Sequence, residues 1–342
     1  MLSNKNQQST PAYVRHDFLV DAHQSKLRVD KFVADRIAKV SRTRVQEALE
    51  EGLVRVNGQV VKANFKVKPG DKVVVLSYEE PEDYQVEPED IPLDIFYEDD
   101  DLVVVNKSPN MVVHPGVGNF SGTLLNALYF RYQKEMKTGK VRPVLVHRID
   151  KETSGLLVVA KNERALNHLA LQFKEHSIQR KYLALVWGTF EEKHGTIQGN
   201  IGRSLRDRKK FTVHSDPELG KHATTHYKVL ESFHFTSLLE CQLETGRTHQ
   251  IRVHMKHIGH TLFNDSFYGG DKILKGVVFS KYKQFVNNTF AILPRQALHA
   301  KSLGFVHPST DSWVLFDSEL PEDFKGALNR WRKLAENQTF NG

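Results

Sequence analysis

Asp150 stands in the stretch Val146-His147-Arg148-Ile149-Asp150-Lys151-Glu152-Thr153-Ser154-Gly155, which runs into the apolar segment Leu156-Leu157-Val158-Val159-Ala160. A carboxylate close to an arginine, at the lip of an apolar strand, can act as a nucleophile or stabilise positive charge on a substrate. The Thr153-Ser154-Gly155 turn ties it to that strand, and loops held by rigid elements are where functional groups concentrate. On residue types alone a second reading stays open, because an aspartate before a Thr-Ser-Gly turn often serves only as a turn or capping residue. Another set with chemical potential is His249, His254, His257 and His260. His254 and His257 are about one helical turn apart, as metal ligands can be. No Asp or Glu stands at ligand spacing in that segment and the HExxH arrangement is absent, so no metal site is expected.

The chain has 342 residues, a length that suggests two domains, and 39% of them are hydrophobic, enough for a folded core. A net charge of +7 and a pI near 9.2 weakly favour a polyanionic partner. Cys241 is the only cysteine, which excludes an intramolecular disulfide and a cysteine-based zinc knuckle. No apolar run approaches the ~18 residues that span a bilayer. Residues 1–16 are polar and lack the apolar centre of a signal peptide, so a cytoplasmic protein is expected.

The elements that must position these residues follow from the patterning. Residues 1–24 read as a flexible tail, with order starting near Phe18. A first unit spans 25–77. Val29, Phe32, Val33, Ile37 and Val40 have helical spacing, and Ser41 caps a second helix that ends at Gly52. Asn57-Gly58 between two apolar runs predicts a tight hairpin, and Pro69-Gly70 a turn before a strand over 72–76. This unit holds twelve basic residues against six acidic ones, so most of the excess charge lies here. Residues 78–92 are acidic and punctuated by prolines, the pattern of an exposed linker. From 93 to 338 strand-like runs (93–97, 102–106, 156–161, 181–187, 223–230, 235–244, 297–306, 312–317) mix with helical ones (122–131, 163–176, 248–258, 322–336). Strands adjoin strands as often as helices, so the reading is an α+β domain with a large, mixed or mostly antiparallel sheet. The cations Arg203, Arg206, Arg208, Lys209, Lys210 and Lys221 fall in a predicted loop that reads as a phosphate-binding arm or an ordinary solvated loop.

The stretch around Asp150 resembles the central motif of the RluA/RluD-type pseudouridine synthases, which reads His-Arg-Leu-Asp before a Thr-Ser-Gly-type turn. Here Ile149 replaces the leucine. Further segments carry the resemblance in order. They are Tyr97 through Lys107, with Ser108 where a proline is usual, and Val112-Val113-His114-Pro115-Gly116. Arg180-Lys181-Tyr182-Leu183-Ala184 follows, then Gly246-Arg247-Thr248-His249-Gln250-Ile251-Arg252-Val253-His254, and then Arg295-Gln296-Ala297-Leu298-His299-Ala300. Within 25–77, Arg28-Val29-Asp30-Lys31-Phe32, Ser41-Arg42-Thr43-Arg44 and Gly52 to Gly58 resemble the S4 RNA-binding domain. The likeness covers roughly 25–335. Gly116-Val117-Gly118-Asn119 and the S4 unit point to the RluD-like branch.

The resemblance implies an isomerase that converts uridine to pseudouridine in RNA, most nearly large-subunit ribosomal RNA. tRNA-directed enzymes share the motifs, and a non-catalytic S4-bearing ribosome-associated factor is the alternative from the binding class. The reaction breaks the C1′–N1 bond, turns the uracil and joins C5 to C1′. Nothing is oxidised or lost, so neither redox cofactor nor metal is needed. The resemblance makes Asp150 the catalytic residue and Arg252 its cationic partner. Were 248–258 helical, Thr248, Ile251 and Arg252 would share a face and Arg247 would point elsewhere. Tyr182 corresponds to the tyrosine that packs on the uracil and is a candidate for assisting proton transfer. Arg148 corresponds to the arginine that fills the space of the flipped base, with a phosphate contact or an ion pair to Asp150 as its plainer roles. Arg28, Lys31, Arg42, Arg44, Arg247 and His249 are expected RNA contacts. His114 and His147 read as hydrogen-bonding or RNA-contacting residues. A monomer is expected.

Overall fold

The computed structural model describes residues 13–37, 40, 42–78, 86–116, 118–277 and 279–337. The chain divides into two compact units, residues 1–85 and 86–342. The architecture is α+β, a large mixed sheet preceded by a small α+β unit.

In the first unit, helices Val29–Ala34 and Arg42–Glu50 pack on a four-stranded antiparallel sheet, with Val29, Phe32, Val33, Val45 and Leu49 in one apolar cluster with Val54, Val73 and Val75. Val54–Val56 and Gln59–Val60 form the predicted hairpin. Both turn residues, Asn57 (φ 49°) and Gly58 (φ 82°), are left-handed, which matches the right-handed twist of the strands. The first helix ends at Ala34 rather than 40, and Ser41 lies outside the described residues. The tail reading fails at 13–19. Tyr13–Leu19 is a strand paired antiparallel with Lys72–Tyr78 along its whole length, and Phe18 packs on the core. Backbone pairing to a ready sheet edge orders a short segment of mixed composition, with Arg15, His16 and Asp17 between apolar ends.

The acidic linker is also shorter than its composition suggests. Residues 79–85 lie outside the described residues, but 86–92 belong to the second unit. The Glu89 carboxylate accepts from the Gly122 amide at 3.0 and 3.1 Å, and Asn126 donates to the Glu87 carbonyl at 2.8 Å. An anion beside the start of helix Leu124–Arg131 is favoured by the helix dipole.

The large sheet runs Phe211–His214, His194–Arg203, Lys221–Phe233, Thr236–Leu243, Gln179–Trp187, Leu298–Val306, Ser154–Ala160, Leu102–Lys107, Ile95–Glu98. Val144–Leu145 and Trp313–Asp317 pair off this path. Ser154-Gly155 beside His299-Ala300 is the parallel contact; the other pairings are antiparallel. Ser154–Ala160 is buried on both faces. Leu157 and Val159 enter one core while Leu156, Val158 and Ala160 enter another, as period-two alternation requires. By the same parity Tyr182, Ala184 and Val186 share the face of Leu157, and Leu183, Leu185 and Trp187 face the core beneath helices Ser280–Ile292 and Glu322–Glu336.

The basic loop is corrected by the strands His194–Arg203, Phe211–His214 and Lys221–Phe233. Arg203 and Lys221 end strands, and Arg203 donates to the Arg208 carbonyl at 2.7 Å. Only Arg206, Arg208, Lys209 and Lys210 lie on the turn.

Candidate active site

Lys107 and Arg295 hold the Asp150 loop from two sides. The buried Lys107 ammonium donates to the carbonyls of Ser108 (2.7 Å), Met111 (2.9 Å) and Lys151 (3.0 Å). Burial pushes its pKa down to about 7, with the Arg295 charge adding to the fall and Asp150 opposing it. Three acceptors match the three N–H bonds that only the charged form has. Arg295 donates to the Glu152 carbonyl at 3.0 Å and to Ser154 Oγ at 3.3 Å, and is itself clamped by Asp323 at 2.7 and 3.0 Å. Gln296 Nε2 donates to Thr153 Oγ1 at 2.9 Å. Gly155 has φ +109°, and a Cβ there would lie 2.2 Å from the Ala300 carbonyl oxygen, so the turn into the strand needs glycine. The Thr-Ser-Gly run thus has structural reasons for each residue, and it leaves the Asp150 side chain directed away from these ties.

Asp150 Oδ2 accepts from Arg252 Nη1 at 2.9 Å. Arg252, 5% exposed on helix Gln250–His257, spends its other face on Asp265, with Nε to Oδ2 at 2.7 Å and Nη2 to Oδ1 at 2.9 Å. Burial alone would lower the pKa of this guanidinium, but the Asp265 contacts and the Asp150 charge hold it above its ordinary value. The arginine is therefore a fixed cation between a sealed carboxylate and an accessible one. Tyr268 supports it from the side, its ring 5.0 Å from the guanidinium carbon.

Two cavities, of about 300 and 580 Å³, meet at Asp150 and share Arg148, Ile149 and His249 in their walls. Tyr182 lines the smaller one, and burial raises its phenol pKa, with Arg180 opposing and Asp150 adding. The phenol is therefore neutral near pH 7. Arg148 is exposed and reaches both cavities, and no ion pair joins it to Asp150 among the described residues. Arg247 lines the smaller cavity and donates from Nε to the His222 carbonyl at 3.0 Å.

His249 stands closer to the chemistry than an RNA contact requires. It precedes the helix with left-handed φ 57°, an uncommon conformation for a residue with a Cβ. Its Nδ1 lies 2.9 Å from the Tyr268 hydroxyl and its Nε2 3.9 Å from Asp150 Oδ1. Burial pushes its pKa down, with Asp150 opposing, so the ring is neutral at physiological pH. The helix itself starts at Gln250, later than 248, because Gln250 turns back to bind Thr245 and the Arg247 amide. His147 accepts from the Val158 amide at 3.0 Å, and burial drives its pKa to about 3. His114 is exposed, with Nδ1 2.8 Å from the Pro115 carbonyl oxygen.

In the N-terminal unit Arg28 and Arg42 both bind the buried Asp30, at 3.0 Å each, while their side chains stay 42% and 51% exposed. Lys31 is exposed, and the side chain of Arg44 lies outside the described residues. Asp265, Lys107 and Arg180 were not singled out from sequence as site residues. For Asp265 the signal was its place, with Tyr268-Gly269-Gly270, at the end of the segment that resembles the family's third motif, although no role was attached to it.

Residues 101–257 match the family model described as RNA pseudouridylate synthase, and residues 27–73 match the S4 domain. A Bacillus subtilis protein named as an uncharacterized RNA pseudouridine synthase is 46% identical over 93% of this chain and 98% of its own. A Zymomonas mobilis protein named ribosomal large subunit pseudouridine synthase D is 42% identical over 87% of this chain and 92% of its own. The solved structure of human RNA pseudouridylate synthase domain containing 4 is 25% identical, with a TM-score of 0.53 over 70% of this chain and 93% of that one. The chain belongs to the RNA pseudouridine synthase family and carries an S4 domain.

Proposed function

We propose that this protein isomerises uridines of large-subunit ribosomal RNA in the cytoplasm, with Asp150 as the catalytic residue. The observation that carries the site assignment is the accessible Asp150 carboxylate, at the junction of two cavities and 2.9 Å from an arginine whose other donors are committed to Asp265. Such a carboxylate faces positive charge at C1′ of a ribose without having to reorient. Tyr182 gives the flipped uracil a flat apolar face, and Arg148 takes the space that the base vacates in the RNA. Arg247, with Arg28, Lys31, Arg42 and Arg44 of the S4 domain, contacts phosphates. His249 orders the site around Asp150 rather than binding the RNA backbone. The protein works as a monomer and needs no cofactor or metal, since the reaction conserves every atom and its oxidation state.

The ribosomal assignment is supported by the names of the Zymomonas mobilis relative and of one from Nitrosomonas europaea, also ribosomal large subunit pseudouridine synthase D, at 40% identity. The test is a pseudouridine map of total RNA with and without the protein. Sites lost from large-subunit ribosomal RNA are expected. Loss confined to tRNA would make it a tRNA enzyme, and no loss anywhere would leave only an RNA-binding role.

A further inference from the structure

Strand Gln179–Trp187 carries a second residue to the cavity beside Tyr182. Arg180 lies two positions earlier, so its side chain leaves the same face of the sheet. It lines the 300 Å³ cavity with Asp150 and Tyr182 and is only 8% exposed. The other buried arginines, Arg252 and Arg295, are each clamped by a carboxylate through two hydrogen bonds. Arg180 has no carboxylate partner among the described residues. Its one hydrogen bond is a long one, Nη2 to the Glu244 carbonyl at 3.4 Å, and its Nε is buried with no acceptor. Around it lie the ring of Phe173, 5.4 Å from the guanidinium carbon, the neutral His147 and the neutral phenol of Tyr182. Gly246 leaves the space that the guanidinium fills, since a Cβ there would lie 2.8 Å from Nη1. A guanidinium has five N–H donors, and a buried cation without acceptors is unfavourable unless a ligand supplies them.

We propose that Arg180 is a further catalytic residue, which donates to the carbonyl oxygens of the target uracil and stabilises the negative charge the ring gains as it leaves the ribose. The inference rests on the reading of Asp150 as the catalyst of pseudouridine formation. When C1′–N1 breaks, the bonding pair departs with the base, and the charge spreads from N1 to O2 and O4. Asp150 faces the electron-poor C1′. After the ring turns, C5 supplies the pair that forms C5–C1′, the C5 proton is lost and N1 gains one. Arg180 keeps its protons throughout. Its depth suits the base rather than a phosphate, because the more accessible Arg247 lines the same cavity and serves the backbone, and Arg148, also more accessible, fills the space the base leaves.

The test is single-turnover kinetics on RNA with uridine or 5-fluorouridine at the target, read as loss of the N-glycosidic nucleoside. Fluorine makes the base a better leaving group that needs less help. Arg180→Gln is expected to slow uridine conversion at least about a hundredfold, the scale of one lost donor to a developing anion. RNA affinity should stay within about threefold of wild type, a shift under ~1 kcal/mol. The loss should shrink to below about tenfold on 5-fluorouridine, and Arg180→Lys should recover part of it. Gly246→Ala displaces only the flexible tip of Arg180, so it should slow the reaction with an unchanged melting temperature. An unchanged rate in Arg180→Gln would overturn the proposal. So would an equal loss on both substrates, or weaker binding with a full rate at saturation. Asp150→Asn in parallel separates the two claims. If it is inert while Arg180→Gln is fully active, only the Arg180 inference fails, and if it is active, the reading beneath it fails.

Discussion

Asp30 in the N-terminal unit and Arg252 in the catalytic unit are both buried ions flanked by two ions of opposite sign, and the two arrangements are inverted. Asp30 is fully buried and holds Arg28 and Arg42, which remain about half exposed. Arg252 is buried and holds Asp265, 1% exposed, and Asp150, whose side chain is 19% exposed. In each case the sealed ion orients and the exposed ion meets solvent. The first unit thereby turns cations outward, as phosphates require, and the second turns an anion outward, as an electron-poor sugar carbon requires. The energetics differ as well. The exposed arginines of the first unit can fall back on water if Asp30 is lost, whereas among the described residues Arg252 is the one cation that Asp265 binds, its other hydrogen bond coming from the Tyr268 amide.

The largest effect should follow Arg252→Ala, which leaves Asp265 buried with an uncompensated charge and Asp150 without a partner. Denaturant titration should show a loss of about 3–5 kcal/mol, and turnover should fall at least roughly a thousandfold. Normal turnover would mean that the pair is structural only. Asp265→Asn keeps the shape and removes the clamp. A stability loss of about 1–3 kcal/mol is expected, and a fall in turnover of roughly ten- to a hundredfold. An effect on stability alone would detach Asp265 from catalysis.

Asp30→Ala should destabilise the N-terminal unit by about 1–3 kcal/mol and weaken RNA binding, with little effect on melting of the catalytic unit. Burial raises the Asp30 pKa, but bonds from Arg28, Gln46 and Arg42 prevail and hold it at about 2. A carboxyl depressed on folding stabilises above its unfolded pKa, so this contribution is present at neutral pH. It should be lost as pH falls from about 4 to 2. Acid unfolding of Asp30→Ala that follows the wild-type curve would contradict this. The smallest effect belongs to Arg28→Gln and Arg42→Gln made singly, since the remaining arginine and Gln46 still hold Asp30. The salt dependence of RNA affinity should lose roughly 0.7–0.9 log–log units for each phosphate contact removed. Identical slopes would show that these arginines serve Asp30 alone.

The sequence made legible what local pattern and motif order encode. The Asn57-Gly58 hairpin is where residue types placed it, and the contact of Arg252 with Asp150 is the one the family resemblance implied. Strand His194–Arg203 was missed because Gly195, Gly199 and Gly202 dilute its apolar alternation, and its pairing to Lys221–Phe233 is non-local. Helix Ser280–Ile292 buries only Tyr282, Val286 and Thr289, too sparse a stripe to stand out. Tyr13–Leu19 is ordered by an edge that only the folded unit supplies. The orphaned donors of Arg180 could not be read from sequence, because an unmet hydrogen bond is a property of surroundings and not of a residue type.

Asp150→Asn bears most directly on the central claim, since it preserves size and most hydrogen bonding and removes only the charge. Single-turnover conversion and RNA affinity should be measured on the same substrate RNA. Pseudouridine should be undetectable, with affinity within about tenfold of wild type, a difference of ~1.4 kcal/mol or less. Substantial conversion by this variant would contradict the assignment of Asp150 as the catalytic carboxylate.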